Sequence, residues 1–202
     1  MAQIALPLAG TGAAPQRIVV GSANAAVLEA LATPGSWPFR TAILAGPPRS
    51  GRSLIARWFE ENGLGEAIDD AQACAEDDLF HRWNRAQESG VPLLLVVSPG
   101  HWGIALPDLR SRLKAALHLE IAAPDDAMLA DLIAVHAAQR GLALGPEAAA
   151  YLVPRGPRSH LGIERLVTVI DRLSLERKQA PTLSIWRDAL EEVVGAEQPR
   201  LL

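Results

Sequence analysis

The sequence is poor in the residues on which disulfide-rich and metal-binding domains depend. Cys74 is its single cysteine, so no disulfide framework can form within the chain, and its five histidines show no spacing typical of metal ligands. Aromatic residues make up only 4% of the chain, and no apolar run approaches the roughly 20 residues that span a bilayer. These absences exclude a disulfide scaffold and a membrane-spanning helix, and they argue against a metal site built from protein side chains alone.

Basic residues are also scarce. The 19 Lys and Arg are outnumbered by 23 Asp and Glu, which gives a net charge of −4 and a pI near 5.7. A chain whose main partner is nucleic acid usually carries a basic excess, so protein and nucleotide partners are favoured and DNA is expected only as an indirect partner. The N-terminus lacks the basic and apolar regions of a secretory signal. We therefore expect a cytoplasmic protein with no membrane partner.

Hydrophobic patterning divides the chain into three parts. Residues 1–16 are rich in Ala, Gly and Pro, which predicts a flexible tail. Residues 17–123 alternate short apolar strands with helical patterns, which predicts an α/β base of three layers with a short parallel sheet of only four strands. Residues 124–202 show four helical patterns, which predicts a small all-helical lid domain.

The loop GPPRSGRS after the first apolar strand fits the phosphate-binding pattern G-x-x-x-x-G-K-[ST] except that Arg52 replaces the lysine. Glycines let backbone N–H groups approach phosphate, the next helix N-terminus favours an anion, and the Ser53 hydroxyl can coordinate Mg²⁺. The guanidinium is longer and bulkier than an ammonium, so nucleotide binding and a plain structural turn both stay open on this pattern alone. The candidate residues are Gly46, Pro47, Pro48, Arg49, Ser50, Gly51, Arg52 and Ser53.

Asp69 and Asp70 end a short apolar run that follows the loop and its helix. In a P-loop protein the second acidic signature lies at this place in the chain, with one carboxylate for Mg²⁺ and its neighbour orienting water. Two acids that begin the next helix are the alternative interpretation. The order of loop, acidic pair and next strand favours the first, with Ser53 and Asp69 as Mg²⁺ ligands through a nucleotide.

Several segments together resemble the DnaA family of AAA+ proteins. IDDAQ resembles its Walker B motif, PLLLVVS its sensor 1 strand, and ALPDLRSRL its arginine-finger box, while IVVGSANAAVLEAL resembles the segment that packs near the nucleotide base. The run from DDAQACAEDDLFHRWNRAQESG to LPDLRSRL is particularly similar to Hda, the DnaA-related regulators of replication initiation. The resemblance implies an AAA+ fold, ADP or ATP with Mg²⁺ as ligand, and contacts from Val20 and Gly21 to the nucleotide.

The N-terminal tail contains QIALPL, which is similar to the peptide by which Hda proteins dock on the sliding clamp. A glutamine and spaced leucines suit recognition of a peptide in a pocket, where a few anchors carry most of the energy. An ordinary disordered terminus is the alternative for any isolated six-residue match. The resemblance implies clamp binding through Gln3, Ile4, Ala5, Leu6, Pro7 and Leu8.

Arg112, in LRSRL, matches the arginine finger of the family. The resemblance implies a negative regulator that docks on the DNA polymerase III sliding clamp, packs on ATP-bound DnaA and stimulates hydrolysis of the initiator's ATP in trans through Arg112. Such a chain activates another protein's ATPase and is not itself an autonomous ATPase. No helix-turn-helix pattern follows the last helices, which favours a regulator over an initiator that reads DNA.

The sequence also departs from the family pattern. Pro99 and Gly100 follow the sensor 1 strand in place of an Asp-Arg pair, and Glu164 stands where the sensor 2 arginine would lie. With Arg52, these departures support an alternative hypothesis, a nucleotide-free AAA+-like adaptor that binds the clamp or another replication protein without stimulating hydrolysis. A small P-loop kinase is a third hypothesis, which the missing lysine disfavours. Whether the chain forms a homodimer is left open.

Overall fold

The structure is a computed structural model that describes residues 6–7, 17–100 and 102–197. The chain divides into two compact units. An α/β unit comprises Asn24–Ala122, and a helical unit comprises Ala123–Leu202 together with Met1–Ala23, each within the described residues. Because an independent core defines each unit, they are described separately.

The N-terminal segment contributes a short strand pair to the helical unit. Strand β1 (Leu6–Pro7) pairs antiparallel with β2 (Arg17–Ile18), and Leu6 lies opposite Ile18. This pairing was not expected in a tail predicted to be flexible. Val19 and Ala23 pack against the core of the helical unit, so residues 17–23 group with the helices, whereas the sequence placed them in a base domain of residues 17–123.

The α/β unit is built on a four-stranded parallel sheet. Its strands are β3 (Thr41–Ala45), β4 (Glu66–Ile68), β5 (Leu93–Val96) and β6 (Leu117–Glu120), in the order β4-β5-β3-β6. Thr41 pairs with Leu93, and Ala42 pairs with both Leu94 and Leu117. The strands β3 and β5 are continuous apolar runs because both faces of a central parallel strand are covered. The predicted short parallel sheet is confirmed.

Helices cover both faces of this sheet. They are α1 (Ala25–Leu31), α2 (Arg52–Glu61), α3 (Glu76–Ser89) and α4 (Pro107–Lys114). Alternate residues of the central strands point to opposite faces, so Ile43, Leu93 and Leu95 pack with Leu79 of α3 and Leu109 of α4 in one core. The other face carries α2, whose Phe59 ring stacks on Trp37 with centroids 5.5 Å apart. The predicted three-layer α/β architecture is confirmed.

The helical unit contains α5 (Asp126–Gln139), α6 (Pro146–Leu152), α7 (His160–Arg177) and α8 (Leu183–Glu197). Asp125 caps α5 by accepting a hydrogen bond from the Met128 N–H, and Ser159 caps α7 through the Gly162 N–H. These caps satisfy N–H groups that a helix leaves unpaired at its start. No helix in the described part of the chain is long and apolar enough to cross a membrane.

A histidine side chain is buried in the helical unit. His160, the first residue of α7, is only 2% exposed, and neither ring nitrogen has a hydrogen-bond partner among the described residues. Burial, with a smaller contribution from the charge of His136, lowers the pKa of His160 below its ordinary value. The imidazole is therefore neutral in the folded protein over the pH range in which it would be protonated in the unfolded chain.

This burial predicts a loss of stability as the solution becomes acidic. Because the pKa of His160 is lower in the folded state, unfolding takes up a proton below about pH 6.5, and the free energy of unfolding falls with pH by up to about 1.4 kcal/mol per unit. Urea denaturation of the full chain between pH 5 and 7.5 measures this slope. His160→Leu should flatten the slope, whereas His81→Gln at an exposed position of α3 should leave it unchanged. If His160→Leu had the same slope as the unsubstituted chain, His160 would not be the source of the pH dependence.

Candidate functional site

The phosphate-loop candidate joins β3 to α2 and has the backbone that its glycines predict. Gly51 lies in the left-handed region, with φ 88°, at the position that precedes α2, and a Cβ there would meet nothing within 4 Å. Gly46 is enclosed, since a Cβ would lie 2.9 Å from the Cβ of Ile121 and 3.0 Å from Ser50 Oγ. The space next to Gly46 is therefore filled, whereas the space next to Gly51 is open.

Several hydrogen-bonding groups of this loop have no partner among the described residues. The first N–H groups of α2 have no partner within the helix, as at every helix start, and no side chain caps them. Ser50 is 6% exposed, and its hydroxyl has no hydrogen-bond partner among the described residues. Pro47 and Pro48 supply no N–H group, and the Ser50 N–H donates to the Pro47 carbonyl at 3.2 Å, so the remaining backbone donors lie at the start of α2. This arrangement suits an anion.

Arg52 makes the contact that distinguishes this loop from the lysine pattern. Its guanidinium donates a hydrogen bond to the carbonyl oxygen of Val97, just after β5. The Val97 N–H in turn donates to the Leu44 carbonyl of β3, at 2.9 Å. The side chain thus ties the start of α2 to the carboxyl end of the neighbouring strand.

The acidic pair lies at the same edge of the sheet. Asp69 and Asp70 follow β4, and both are exposed. Asp70 has φ 52°, which turns the chain into a short 3-10 helix, Ala71–Ala73. Gln72 fixes this turn to the end of β5, because its Oε1 accepts the Ser98 N–H at 2.7 Å and its Nε2 donates to the Ser98 carbonyl at 3.4 Å. The two motifs therefore lie one strand apart, with β5 between them.

No group of three or more His, Cys, Asp and Glu side chains in the described ranges could hold a metal ion by itself. Val20 and Gly21 lie in the helical unit, where a Cβ on Gly21 would approach the Met128 side chain to 3.1 Å. Of the candidate clamp peptide, the structure describes only the Leu6–Pro7 backbone, in β1. Gln3, Ile4, Ala5 and Leu8 lie outside the described residues.

Arg112, near the end of α4, is held against aromatic rings of α3. Its guanidinium carbon lies 4.4 Å from the ring centroid of Phe80 and 4.3 Å from that of Trp83. The Asn84 Oδ1 accepts a hydrogen bond from one of its nitrogens. Cation–π contacts use the flat face of the guanidinium, whereas its N–H groups point outward in its plane. The surrounding side chains therefore orient the donor edge of Arg112.

A carboxylate at the opposite end of α3 fixes the loop that leads into α4. Glu76 accepts hydrogen bonds from the N–H groups of Ala105 and Leu106, each at 2.7 Å. These bonds, followed by the charge of Arg110, hold the pKa of Glu76 below its ordinary value despite some desolvation. Arg110 also donates to the Ile104 carbonyl. Polar contacts thus join α3 to α4 at two places, through Glu76 near their first residues and through Asn84 and Arg112 further along.

The sheet places Arg112 far from the chain's own phosphate loop. In a parallel sheet, loops that follow strands lie at the carboxyl edge and loops that precede strands lie at the amino edge. The phosphate loop follows β3, whereas α4 ends just before β6 begins. Phe39, two residues before β3, has its ring 6.2 Å from that of Trp83, which contacts Arg112. β3, whose five residues span about 16 Å, therefore runs between the phosphate loop and Phe39, the residue next to the Arg112 contacts.

The sequence did not reveal the residues that hold Arg112. None of Phe80, Trp83, Asn84 and Glu76 was connected with Arg112 by its sequence pattern. Spacing gives a partial signal, because Phe80, Trp83 and Asn84 at i, i+3 and i+4 must share one face of a helix. Nothing in the sequence indicates that this face lies against Arg112, 28 residues beyond Asn84.

The aromatic contacts of Arg112 predict a measurable contribution to stability. Arg112→Ala should lower the free energy of unfolding by about 1 to 2 kcal/mol, because it removes two cation–π contacts and one hydrogen bond. Arg85→Ala, at an exposed position of α3, should change it by less than about 0.5 kcal/mol. Urea denaturation at neutral pH measures both. Equal losses of unfolding free energy in Arg112→Ala and Arg85→Ala would show that the contacts of Arg112 do not stabilise the fold.

Comparison with solved structures shows the same fold in DNA-processing proteins. Domain III of the Thermotoga maritima replication initiation protein DnaA has a TM-score of 0.61 at 13% identity, over 87% of this chain and 94% of that domain. The Thermotoga maritima RuvB Holliday junction branch migration motor has a TM-score of 0.58 at 18% identity, over 85% of this chain and 69% of RuvB. AMPPCP-bound DnaA from Aquifex aeolicus has a TM-score of 0.58 at 18% identity, over 79% of this chain and 66% of that one.

Sequence comparison matches only part of the chain. An uncharacterized protein of Haemophilus influenzae is 29% identical over 131 residues, which cover 61% of this chain and 57% of that protein. No protein-family model matches the chain. The structural similarity, at identities below 20%, establishes the architecture: this chain has an AAA+-type α/β fold with a helical unit, like DnaA domain III and RuvB.

Proposed function

We propose that this chain is a replication regulator that acts on the nucleotide of a neighbouring AAA+ protein, the initiator DnaA, through Arg112. The observation that carries the proposal is the position of Arg112, at the edge of the sheet opposite to the chain's own phosphate loop. A guanidinium on the side of the sheet where strands begin is badly placed to contact a phosphate bound where β3 ends. It is directed instead to a ligand presented by another molecule.

The chemistry of Arg112 suits phosphoryl transfer. An arginine that reaches across an interface neutralises the charge that develops on a transferring γ-phosphoryl group, and such fingers raise rates by roughly 10³ to 10⁵. Catalysis of this kind needs donors that are oriented before the reaction. The contacts with Phe80, Trp83 and Asn84 supply that orientation. We infer that Arg112 acts as the finger and that the initiator retains the remaining catalytic groups.

The N-terminal peptide provides the second part of the proposal. Gln3, Ile4, Ala5, Leu6, Pro7 and Leu8 would dock on the DNA polymerase III sliding clamp, and DNA would be contacted only through that clamp. A tether of this kind raises the local concentration of the chain near initiator bound to the same DNA, so a weak contact between AAA+ units becomes productive.

The phosphate loop fits a nucleotide of its own. The open space above Gly51, the buried and unpartnered Ser50 hydroxyl, and the N–H groups at the start of α2 together suit a phosphate group. Arg52 adds a positive charge at the same place. Bound ADP or ATP would stabilise the fold here as an effector, and Ser53 and Asp69 would hold Mg²⁺ beside the phosphates. The AMPPCP bound by the structurally similar Aquifex aeolicus DnaA supports this assignment.

Hydrolysis of initiator-bound ATP tests the proposed function directly. With the sliding clamp loaded on DNA, the intact chain should accelerate hydrolysis of ATP bound to DnaA. Arg112→Ala should abolish the acceleration while leaving clamp binding intact. A variant lacking residues 3–8 loses the tether together with the β1–β2 pair, and it should lose acceleration at low concentration and regain it at high concentration, because Arg112 is intact.

Arg85→Ala is the matched control, since it removes an exposed arginine of α3 without touching the Arg112 contacts. Full acceleration by Arg112→Ala would contradict the proposed role of Arg112. No acceleration by the intact chain would contradict the regulatory function as a whole.

A nucleotide-free adaptor is the second candidate function, and the contact of Arg52 favours it. The guanidinium already donates to the Val97 carbonyl, so Arg52 has a hydrogen-bond partner without a ligand. In this alternative the chain keeps the fold and the clamp peptide but binds no nucleotide.

Calorimetric titration with ADP and ATP separates the two candidates. If the phosphate loop binds nucleotide, the intact chain shows saturable binding, and Gly51→Asp abolishes it because a carboxylate and a Cβ enter the open space at φ 88°. Arg52→Lys should bind at least as tightly, since it releases the Val97 carbonyl and restores an ammonium. Gly35→Ala, where a Cβ meets nothing within 4 Å, is the control for a neutral glycine substitution. No binding at millimolar nucleotide would establish the adaptor.

A further inference from the structure

An apolar patch lies at the amino edge of the sheet, beside Arg112. Phe39 is 53% exposed and Val91 is 46% exposed, two of the four exposed large hydrophobic residues among those described. Each precedes a strand by two residues, and Thr41 of β3 pairs with Leu93 of β5, so both residues lie at the edge where these neighbouring strands begin. We call Phe39, Arg40 and Val91 the amino-edge patch.

The backbone of this patch is strained. Phe39 and Arg40 both lie in the left-handed region, with φ 49° and 48°. Residues with side chains rarely adopt this conformation, and bulky ones avoid it. The Phe39 carbonyl is held by hydrogen bonds from Gln87 Nε2, at 2.6 Å, and from Thr41 Oγ1, at 2.8 Å. Neighbouring groups thus maintain a conformation that leaves an aromatic ring half in water.

Folding stability does not account for this arrangement. A strained backbone disfavours the folded state, and an exposed ring recovers little apolar burial in return. Strain that neighbouring side chains maintain is characteristic of sites that bind something. If a partner covered the exposed part of the Phe39 ring, the additional apolar burial would offset the cost of the strained backbone.

Contacts within the α/β unit connect the patch to Arg112. The Phe39 ring lies 6.2 Å from the Trp83 ring, and the Trp83 ring lies 4.3 Å from the Arg112 guanidinium carbon. The Arg40 guanidinium lies beside Gly90, 3.7 Å from the position that a Cβ there would take. One surface therefore combines two apolar side chains with two guanidinium groups, and its charge complements a partner that presents phosphate.

We propose that the amino-edge patch is the apolar part of the surface that docks on the nucleotide-binding face of the partner AAA+ protein. The inference rests on the proposed function, because Arg112 identifies the partner as one that carries bound polyphosphate. Phe39 acts as the buried anchor, Val91 extends the apolar contact, and Arg40 adds charge at the rim. Arg112 determines the rate of hydrolysis, whereas Phe39 determines how tightly the partner is held.

Phe39→Gly separates a docking role from a structural one. Glycine adopts φ 49° without strain, which offsets part of the burial lost with the ring, so the chain should stay folded and its thermal midpoint should fall by only a few degrees. The half-saturating concentration for stimulation of hydrolysis of DnaA-bound ATP should rise about tenfold, a change of about 1.4 kcal/mol in binding. The maximal rate at saturation should not change, since Arg112 is intact. Leu175→Ser, at an apolar position of α7 that is 71% exposed, is the control and should change neither quantity.

Direct binding of the intact chain and of Phe39→Gly to immobilised, ATP-loaded DnaA completes the experiment. Stimulation with an unchanged half-saturating concentration in Phe39→Gly would overturn this inference and leave the proposed function standing. Binding that depends on Phe39, without stimulation, would retain the docking surface and remove the proposed function. No binding at all would overturn both. Loss of self-association in Phe39→Gly, with unchanged DnaA binding, would overturn the inference and assign the patch to a second copy of this chain.

Discussion

The polarity of the parallel sheet is the constraint on which the account of this protein depends. Parallel strands gather the loops that follow them at one edge, so the phosphate loop, Asp69 and Ser98 lie together at the carboxyl edge. The same polarity brings the end of α4 to the opposite edge, where Arg112 contacts Trp83. The fold therefore keeps the phosphate loop and Arg112 on different sides of the sheet, as the proposed function requires.

Two arginines of this chain have different surroundings, and the difference suggests different roles. Arg52 donates to a backbone carbonyl at the end of β5 and so connects α2 to the sheet. Arg112 contacts aromatic faces and an amide oxygen, which orient its guanidinium. Because Arg52 already connects the phosphate loop to the sheet, that loop suits a nucleotide that acts as an effector, or no ligand at all. Arg112, whose guanidinium is oriented by its neighbours, suits action on a partner protein.

Much of the architecture could be predicted from the sequence because it depends on local patterns. Apolar runs at β3 and β5, helical spacing in α5 and α7, and the short link between α2 and Asp69 predicted the order of elements and the four strands. Contacts between distant residues could not be predicted. The Arg52 bond to Val97 spans 45 residues, and no local pattern points to it. The grouping of Val19 and Ala23 with the helical unit likewise depends on packing with helices more than 100 residues away.

Crosslinking from position 112 is the most direct test of the claim that this chain acts on a neighbour's nucleotide. Cys74 is the only native thiol, so Arg112→Cys combined with Cys74→Ser gives a single attachment point for a photoactivatable benzophenone. The adducts formed with ATP-loaded DnaA are then mapped by peptide mass spectrometry. The account predicts adducts in the nucleotide-binding loop of the initiator. Adducts confined to residues 46–53 of this chain, or to initiator surfaces away from its nucleotide, would contradict it.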